Sequence, residues 1–210
     1  MVDAIEAVLD DFRNGHFVLV MDDEDRENET DLILAAEFMT SKKMAFMVRY
    51  TTGIICVPLP CQRLTQLNIP LMVEPCENTE HMGTAFTISV DFEDTSTGVS
   101  AQDRALTVRM LVDPSIVDPQ MFRRPGHVFP LKAMERGLLG RRGHTEAAID
   151  LCRLSGLKMG AAISELLKED GSMARREDSE LFSKKYGIKM TTISSLVEYI
   201  SGGCSHANRC

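Results

Sequence analysis

Apolar residues in the first part of the chain follow a helical pattern and then two strand-like runs. A first helix is predicted by four apolar residues that share one face, namely Ile5, Val8, Leu9 and Phe12. Asp3 is its predicted cap and Gly15 its stop. Continuous apolar runs at 17–21 and 32–36 predict two buried strands, so the acidic segment 22–31 between them is predicted to be a loop.

The rest of the chain mixes strand and helix patterns in the same way. Further strands are predicted at 54–57, where Pro58 and Pro60 would end the strand, at 83–92, within 123–131, and at 159–163, with Glu165 at the end of the last one. Further helices are predicted to start at Thr40 or Ser41, at Ser100 with Asp103 in a capping box, at Thr145 with Gly156 as the stop, and at Ser195 with Glu198.

This order of elements indicates the fold class. Strands and helices alternate irregularly and do not form repeated strand–helix–strand units. We therefore predict one α+β domain, a mixed-sheet α/β sandwich, over residues 1–203. Residues 204–210 are predicted to be a frayed C-terminal tail, because chain ends rarely hold a fixed structure unless something ties them down.

Composition and charge narrow the class of protein. The chain has 210 residues, of which 44% are hydrophobic and 26% charged, so it can bury a sizeable core. No apolar run approaches the length of a membrane span. Acidic residues occur from Asp3 onward, unlike in a secretory signal, which predicts a cytoplasmic protein. The net charge of −8 argues against nucleic-acid binding, because phosphate backbones select for clustered Lys and Arg.

The six cysteines show no paired metal-ligand spacing. In a chain without a secretory signal, scattered cysteines are expected to be small buried hydrophobic residues. Cys204, His206 and Cys210 in the tail could together hold a metal, but we favour a frayed terminus.

The segment 22–31 is the first candidate site because it carries seven acidic residues and Arg26. By itself it could equally be a solvated surface loop. It does not fit the calcium loop of helix–loop–helix proteins, since the required Gly and Glu are missing at the sixth and twelfth positions.

The sequence RRGHT at 141–145 is the second candidate site. Gly143 would let the backbone approach a ligand closely, and Thr145 would cap the next helix. A helix N-terminus beside Arg141 suits an anion such as phosphate, with His144 next to it. The alternative is an ordinary capped helix start with arginines that face solvent.

Five segments in this order resemble a known family. They are DDEDRENETD, NTEHMGTAFT, RRPGHVFPL, RRGHTEAAIDLCRLSG and SELLKEDGSMAR. Together they are similar to the 3,4-dihydroxy-2-butanone 4-phosphate synthases of riboflavin biosynthesis, in the form without a fused second domain. The resemblance covers most of the chain.

The resemblance implies a lyase that converts D-ribulose 5-phosphate to formate and L-3,4-dihydroxy-2-butanone 4-phosphate through a metal-stabilised enediolate. It implies Mg²⁺ or Mn²⁺, no organic cofactor, and a homodimer with sites near the interface. Elementary chemistry agrees, because a divalent cation stabilises charge on adjacent sugar oxygens and several proton transfers need a site rich in Asp, Glu and His.

The resemblance also assigns roles to single residues. The implied metal ligands are Glu27 and His144. The implied substrate contacts are Arg26, Asp31, Thr84, Thr87, Arg141, Arg142, Gly143 and Thr145. The implied catalytic residues are His127 and Glu165, with Asp22 and Glu24 as further carboxylates for proton transfer.

One residue departs from the family, and two other functions stay open. Members often have Gly where this chain has Thr30, so the turn here must adopt a conformation open to a β-branched residue. Cys56 is interpreted as a buried thiol ahead of a redox-sensitive one. The alternatives are another metal-dependent sugar-phosphate isomerase or aldolase, which formate release would exclude, and a divalent-ion binding protein without turnover.

Overall fold

A computed structural model describes residues 2–207, and the side chains of residues 2–202. The strands are β1 (Val18–Met21), β2 (Thr30–Ala35), β3 (Cys56–Leu59), β4 (Val90–Phe92), β5 (Phe122–Lys132), β6 (Ala161–Glu165) and β7 (Lys189–Thr192). The helices are α1 (Ile5–Arg13), α2 (Ser41–Tyr50), α3 (Cys61–Gln66), α4 (Ala101–Leu111), α5 (His144–Ser155), α6 (Arg176–Tyr186) and α7 (Ile193–Ala207).

All these strands form one mixed sheet in the order β4-β5-β3-β6-β2-β1-β7. β1 and β2 pair antiparallel on either side of the acidic loop, as predicted. β2 pairs antiparallel with β6, which sets Asp31 opposite Glu165. The central strands thus bring the end of the acidic loop next to the end of β6.

Strands β1 and β2 are buried on both faces of the sheet. Leu19, Leu32 and Leu34 point into a core that includes Met44 of α2 and Val108 of α4. The alternate residues of β1 and β2 point into a second core with α1, α5 and α7. Strands covered on both faces read as continuous apolar runs, which is why β1 and β2 could be recognised in the sequence. The α+β prediction of a mixed-sheet single domain is confirmed.

Several predicted boundaries were wrong. Ala4 caps α1, whereas Asp3 accepts a hydrogen bond from the Met190 backbone N–H at 2.9 Å and so connects to β7. Gly143 caps α5 in place of Thr145. Helix α7 begins at Ile193, where the Thr192 hydroxyl accepts from the Ser195 N–H. Short polar residues are typical of helix starts, but in each of these helices the first residue lies within a few positions of the predicted one and not at it.

Some elements were misplaced or missed. Pro58 was predicted to end a strand but lies inside β3. On the side facing β6, β3 pairs only at Cys56, so the N–H that Pro58 lacks is not needed for a continuous ladder there. Only Val90–Phe92 of the predicted strand 83–92 is strand, and β5 is much longer than the short strand expected. Elements α3, α6 and β7 were not predicted. Only Ser179 of α6 is buried, so this helix does not bury an apolar face of the kind from which a helix is predicted.

The cysteines only partly match expectation. Cys56 and Cys152 are buried, Cys61 is partly exposed and Cys76 exposed, and all four are free thiols. The side chains of Cys204, His206 and Cys210 lie outside the described residues, so the boundary at 203 and the frayed tail 204–210 remain predictions. Within the part of the chain described, no helix is long and apolar enough to cross a membrane.

Candidate metal-dependent active site

The acidic loop between β1 and β2 folds around the Asp22 carboxylate. Asp22 Oδ2 accepts from the Glu27 backbone N–H at 3.2 Å, and Asp22 Oδ1 accepts from the Glu29 N–H at 2.9 Å. Asn28 adopts a left-handed conformation with φ 55°, which Asn tolerates better than most residues. A buried carboxylate at the start of the loop therefore determines where the Glu27 side chain emerges.

His144 comes to the same place from the opposite side, as the first residue of α5. Its side chain is buried, and Nε2 lies 3.1 Å from the Val20 carbonyl oxygen. Because a carbonyl only accepts, Nε2 must carry the proton and donate. Nδ1 then faces Glu27 Oε2 at 3.7 Å and Asp31 Oδ1 at 3.6 Å. Fixing one ring nitrogen on a carbonyl is how proteins orient the other toward a metal.

Three side chains in this region could hold a metal ion. One ligand atom from each of Asp22, Glu27 and His144 lies within 4.8 Å of the other two. Buried Asp31 Oδ1 has no hydrogen-bond partner in the structure and faces the same space, so it fits a cation or a ligand hydroxyl. Two carboxylates and one imidazole form a donor set that suits Mg²⁺ or Mn²⁺.

Arg26 lies against two of these groups. Its Nη1 donates to Asp22 Oδ2 at 2.7 Å and to Glu27 Oε2 at 2.7 Å. The guanidinium thus offsets two negative charges that burial would otherwise make costly. A cation bound by Asp22 and Glu27 would compete with Arg26 for both oxygens.

The electrostatics of the site reflect this crowding of charge. Burial raises the pKa of Asp31 to about 8. Burial lowers the pKa of His144, but the nearby carboxylates of Asp31, Glu27 and Asp22 outweigh it and raise that pKa to about 9. The interaction with His144, whose Nδ1 lies 3.7 Å from Oε2, keeps the pKa of Glu27 below its usual value. Strong perturbation of several groups in one cleft is typical of functional sites.

A cavity of about 130 Å³ opens beside these groups. It is lined by Arg26, Glu27, Asp31, Cys56, Glu80, Thr84, Phe86, Leu131, Arg141, His144, Thr145, Ile163 and Glu165. Glu165 accepts a hydrogen bond from the Thr52 hydroxyl at 2.7 Å, which fixes its carboxylate at the cavity wall. The cavity is therefore lined both by possible metal ligands, Glu27 and His144, and by the separate, oriented carboxylate of Glu165.

The RRGHT segment forms one end of this cavity. Arg141 Nη1 donates to buried Glu146 at 2.7 Å, and Nη2 donates to the Thr84 hydroxyl at 3.0 Å. A Cβ at Gly143 would clash with Arg141 Nη1, so Gly here lets this guanidinium fold back over the helix start. Thr145 is buried and lines the cavity. The segment presents a cation and a helix N-terminus to the same space.

The chain matches the family model of 3,4-dihydroxy-2-butanone 4-phosphate synthase over residues 6–199. The enzyme of that name from Schizosaccharomyces pombe is 50% identical over 204 residues, covering 96% of this chain and 99% of the relative. The Candida albicans enzyme is 53% identical and covers 94% of this chain and 96% of the relative. The chain belongs to the 3,4-dihydroxy-2-butanone 4-phosphate synthase family.

Solved structures of 3,4-dihydroxy-2-butanone 4-phosphate synthases agree with this assignment. One, in complex with two magnesium ions, has a TM-score of 0.90 and 46% identity, and covers 95% of this chain and 97% of that chain. A cation-free form has a TM-score of 0.89 and 45% identity, and covers 96% of this chain and 99% of that chain. Membership of an enzyme family of riboflavin biosynthesis removes the alternative of an ion-binding protein without turnover.

Most residues that the synthase resemblance assigned come together in this cavity. Glu27, His144, Arg26, Asp31, Thr84, Arg141, Thr145 and Glu165 line it, and Gly143 forms the adjoining helix start. Asp22 does not line the cavity, but it accepts a hydrogen bond from the Glu29 N–H of the loop and offers a third ligand atom. Arg142 is 59% exposed, 4.0 Å from Asp23, and Glu24 is exposed on the loop.

Thr87 and His127, like Arg142 and Glu24, do not line the cavity. Thr87 is buried and donates its hydroxyl to the Pro130 carbonyl at 2.7 Å, so this geometry gives no support to a phosphate contact. His127 is not among the cavity-lining residues. It lies on β5 with its side chain 45% exposed, and its Nδ1 is 2.7 Å from Asp91 Oδ2. Its role remains a prediction.

Sequence reasoning overlooked Glu80 and gave Asp22 a different role. Glu80 lines the cavity and accepts from the backbone N–H groups of Met82 and Thr84, so it shapes the turn that carries Thr84. It belongs to NTEHMGTAFT, but no spacing rule singled it out. Asp22 was assigned to proton transfer, and its place among three possible ligands emerged only from the loop's path.

A larger cavity lies elsewhere and lacks this chemistry. It has a volume of about 430 Å³ and is walled mainly by aromatic residues and lysines, among them Phe17, Phe46, Tyr186 and Lys43. The Lys43 amine already donates to two backbone carbonyls, those of Gly15 and Phe38. The smaller, more polar cavity is therefore the candidate active site.

Proposed function

We propose that this chain converts D-ribulose 5-phosphate to formate and L-3,4-dihydroxy-2-butanone 4-phosphate. The observation that carries the proposal is the possible ligand set Asp22, Glu27 and His144, of which Glu27 and His144 line the same cavity as Glu165. The names of the relatives and the magnesium in a similar structure support it. This chemistry would occur in the cytoplasm, on a small molecule and not on nucleic acid.

Glu27 and His144, with Asp22, would hold Mg²⁺ or Mn²⁺, and no organic cofactor is required. A bound divalent cation supplies Lewis-acid stabilisation of negative charge on adjacent substrate oxygens. The Val20 carbonyl keeps one His144 proton on Nε2, so Nδ1 is the nitrogen that would lose its proton and offer a lone pair to the cation. Asp31 Oδ1 is buried, has no hydrogen-bond partner in the structure and faces the same space, so it would accept a hydrogen bond from a substrate hydroxyl.

Glu165 would move protons at the sugar carbons. Its carboxylate is separate from the ligand set and held by the Thr52 hydroxyl, which leaves its second oxygen for the substrate. Arg141, Thr145 and the first N–H groups of α5 would bind the phosphate, because a helix N-terminus with a cation is an anion site. When a cation takes the carboxylates of Asp22 and Glu27, Arg26 would be free to bind substrate hydroxyls.

We further infer that the working enzyme is a homodimer. His127 is half exposed and lies outside the cavity of its own chain, so a catalytic role requires a neighbour. In a twofold dimer each chain can complete the site of the other. Mixing inactive Glu27→Ala and His127→Ala chains tests this, because about one quarter of the sites would then be whole on random pairing. No recovered activity in verified mixed dimers would contradict it.

The reaction itself is tested by assaying formate and the four-carbon phosphate from ribulose 5-phosphate, before and after chelation. We expect both products in equal amounts, loss of both with the chelator, and recovery with Mg²⁺ or Mn²⁺. Isomerised sugar phosphate without formate would instead support an isomerase or aldolase.

A further inference from the structure

Helix α6 holds the acidic loop from its outer side. Arg175 is the residue that caps α6. Its Nη1 donates to the Glu27 backbone carbonyl at 2.8 Å and also to the Asn28 carbonyl. The guanidinium therefore contacts the loop at the residue that bears the proposed metal ligand and at the left-handed residue after it.

A second contact lies one turn further along the same face of α6. Ser179 donates its hydroxyl to Thr30 Oγ1 at 2.9 Å, and both residues are fully buried. Residues four apart on a helix share a face, so Arg175 and Ser179 reach the loop and the start of β2 together. Thr30, where family members often have Gly, thus has a partner of its own.

The cap of α6 is itself well fixed. The Arg175 N–H donates to Asp178 Oδ2 at 3.0 Å, and the Ala174 N–H donates to the Leu166 carbonyl at 3.0 Å. Leu166 in turn donates to the Thr30 carbonyl at 2.8 Å. The stretch that begins at Glu165 therefore returns to the acidic loop and places the guanidinium against it.

We propose that Arg175 is a positioning residue for the acidic loop: by holding the Glu27 and Asn28 carbonyls, it directs the Glu27 carboxylate toward Asp22 and His144. The inference rests on the proposed role of Glu27 as a metal ligand. Asp22 holds the loop from inside and Arg175 from outside, so removal of either contact frees the same turn. Supporting contacts of this kind typically contribute about 10- to 100-fold to metal affinity.

The test measures Mn²⁺ binding to the substrate-free protein, from the electron paramagnetic resonance of the free ion. Arg175→Ala should weaken binding by about 10- to 100-fold. Arg175→Lys should fall between, because one amine can donate to a carbonyl but lacks the planar fork. Arg176→Ala is the matched control, since it removes the same charge one residue later, from a side chain that pairs with Glu180 at 3.7 Å.

Hydrogen exchange of the Glu27 and Glu29 amides gives a readout independent of the metal. Both amides donate to Asp22 and should exchange faster in Arg175→Ala. Unchanged exchange and Mn²⁺ affinity, or equal losses in Arg176→Ala, would overturn the proposal. If Arg175→Ala does not fold, an Arg175→Lys protein with unaltered affinity and exchange overturns it. Faster exchange in a protein that never bound Mn²⁺ would instead refute the proposed metal site.

Discussion

The histidines His144 and His127 lie in opposite kinds of surroundings. His144 is buried, is fixed by the Val20 carbonyl and faces carboxylates across a cavity. His127 is half exposed on the β4–β5 edge, and its only ionisable hydrogen-bond partner among the described residues is Asp91, which orients Nδ1, while Nε2 has no hydrogen-bond partner among them. The first arrangement suits a ligand and the second a group that meets its target from outside.

The difference shows how surroundings assign roles to identical side chains. A ligand must be held before the ion arrives, because a mobile ligand loses entropy on binding. A proton-transfer group needs one free nitrogen and a partner that fixes the ring. If this comparison is correct, variants in the two regions will separate metal affinity from turnover.

The largest effect is expected from the ligand side. Glu27→Ala and His144→Ala should abolish turnover and weaken Mn²⁺ binding by more than about 100-fold, the upper range for residues that only support ligands. His127→Ala should leave Mn²⁺ affinity unchanged. Asp25→Ala, which removes the same charge from an exposed position of the loop, is the control. Full activity in Glu27→Ala, or metal loss in His127→Ala, would break the comparison.

Turnover should distinguish the proton-transfer residues. His127→Ala and Glu165→Ala should each lower kcat by about 10²- to 10⁴-fold, the usual contribution of a positioned acid or base, with little change in Mn²⁺ affinity. Single-turnover measurements at saturating substrate separate this effect from binding. A rise in KM at constant kcat would reassign either residue to substrate binding.

The phosphate contact should appear in KM. A charge-assisted hydrogen bond contributes about 1.5–3 kcal/mol, so Arg141→Ala should raise KM by about 10- to 100-fold. Because Arg141 pairs with buried Glu146, this variant should also unfold at a lower temperature, and Tm is measured alongside. Arg136→Ala, at an exposed position nearby, is the control.

Arg142→Ala sharpens the phosphate prediction. Its side chain is mostly exposed, so we expect a smaller rise in KM than for Arg141→Ala. The reverse order would mean that the phosphate lies outside the cavity.

The smallest effect is expected at Thr87, near the β4–β5 edge. Thr87→Val keeps the shape but removes the hydrogen bond to the Pro130 carbonyl, which should cost about 1 kcal/mol of unfolding free energy. KM should not change, since the hydroxyl points to backbone. Denaturant unfolding and steady-state kinetics measure the two quantities. A raised KM with unaltered stability would restore Thr87 as a phosphate contact.

The sequence determined much of the central framework, because a strand buried on both faces must be apolar throughout. The runs that became β1 and β2 were recognisable for this reason, and so was the loop between them. Helix α2 with its Thr40 cap and α5 with its Gly156 stop were also predictable, since caps and left-handed stops act locally. The family resemblance then pointed to the residues that line the cavity.

The tertiary structure decided what depends on distant partners. Helix α6 has almost no apolar pattern, because it stabilises the fold through Ser179, an aromatic cluster and its contacts to the acidic loop. Asp22 became a candidate ligand only because the loop folds back on it, and Glu80 entered the cavity only because its turn packs beside Arg141. His127 does not line the cavity because it lies earlier on β5, with its ring against Asp91 of β4, whereas Leu131 further along the same strand does line it. The sequence determines residue type and local spacing. Contacts between residues more than a hundred positions apart, such as His144 and Glu27, depend on which strands pair.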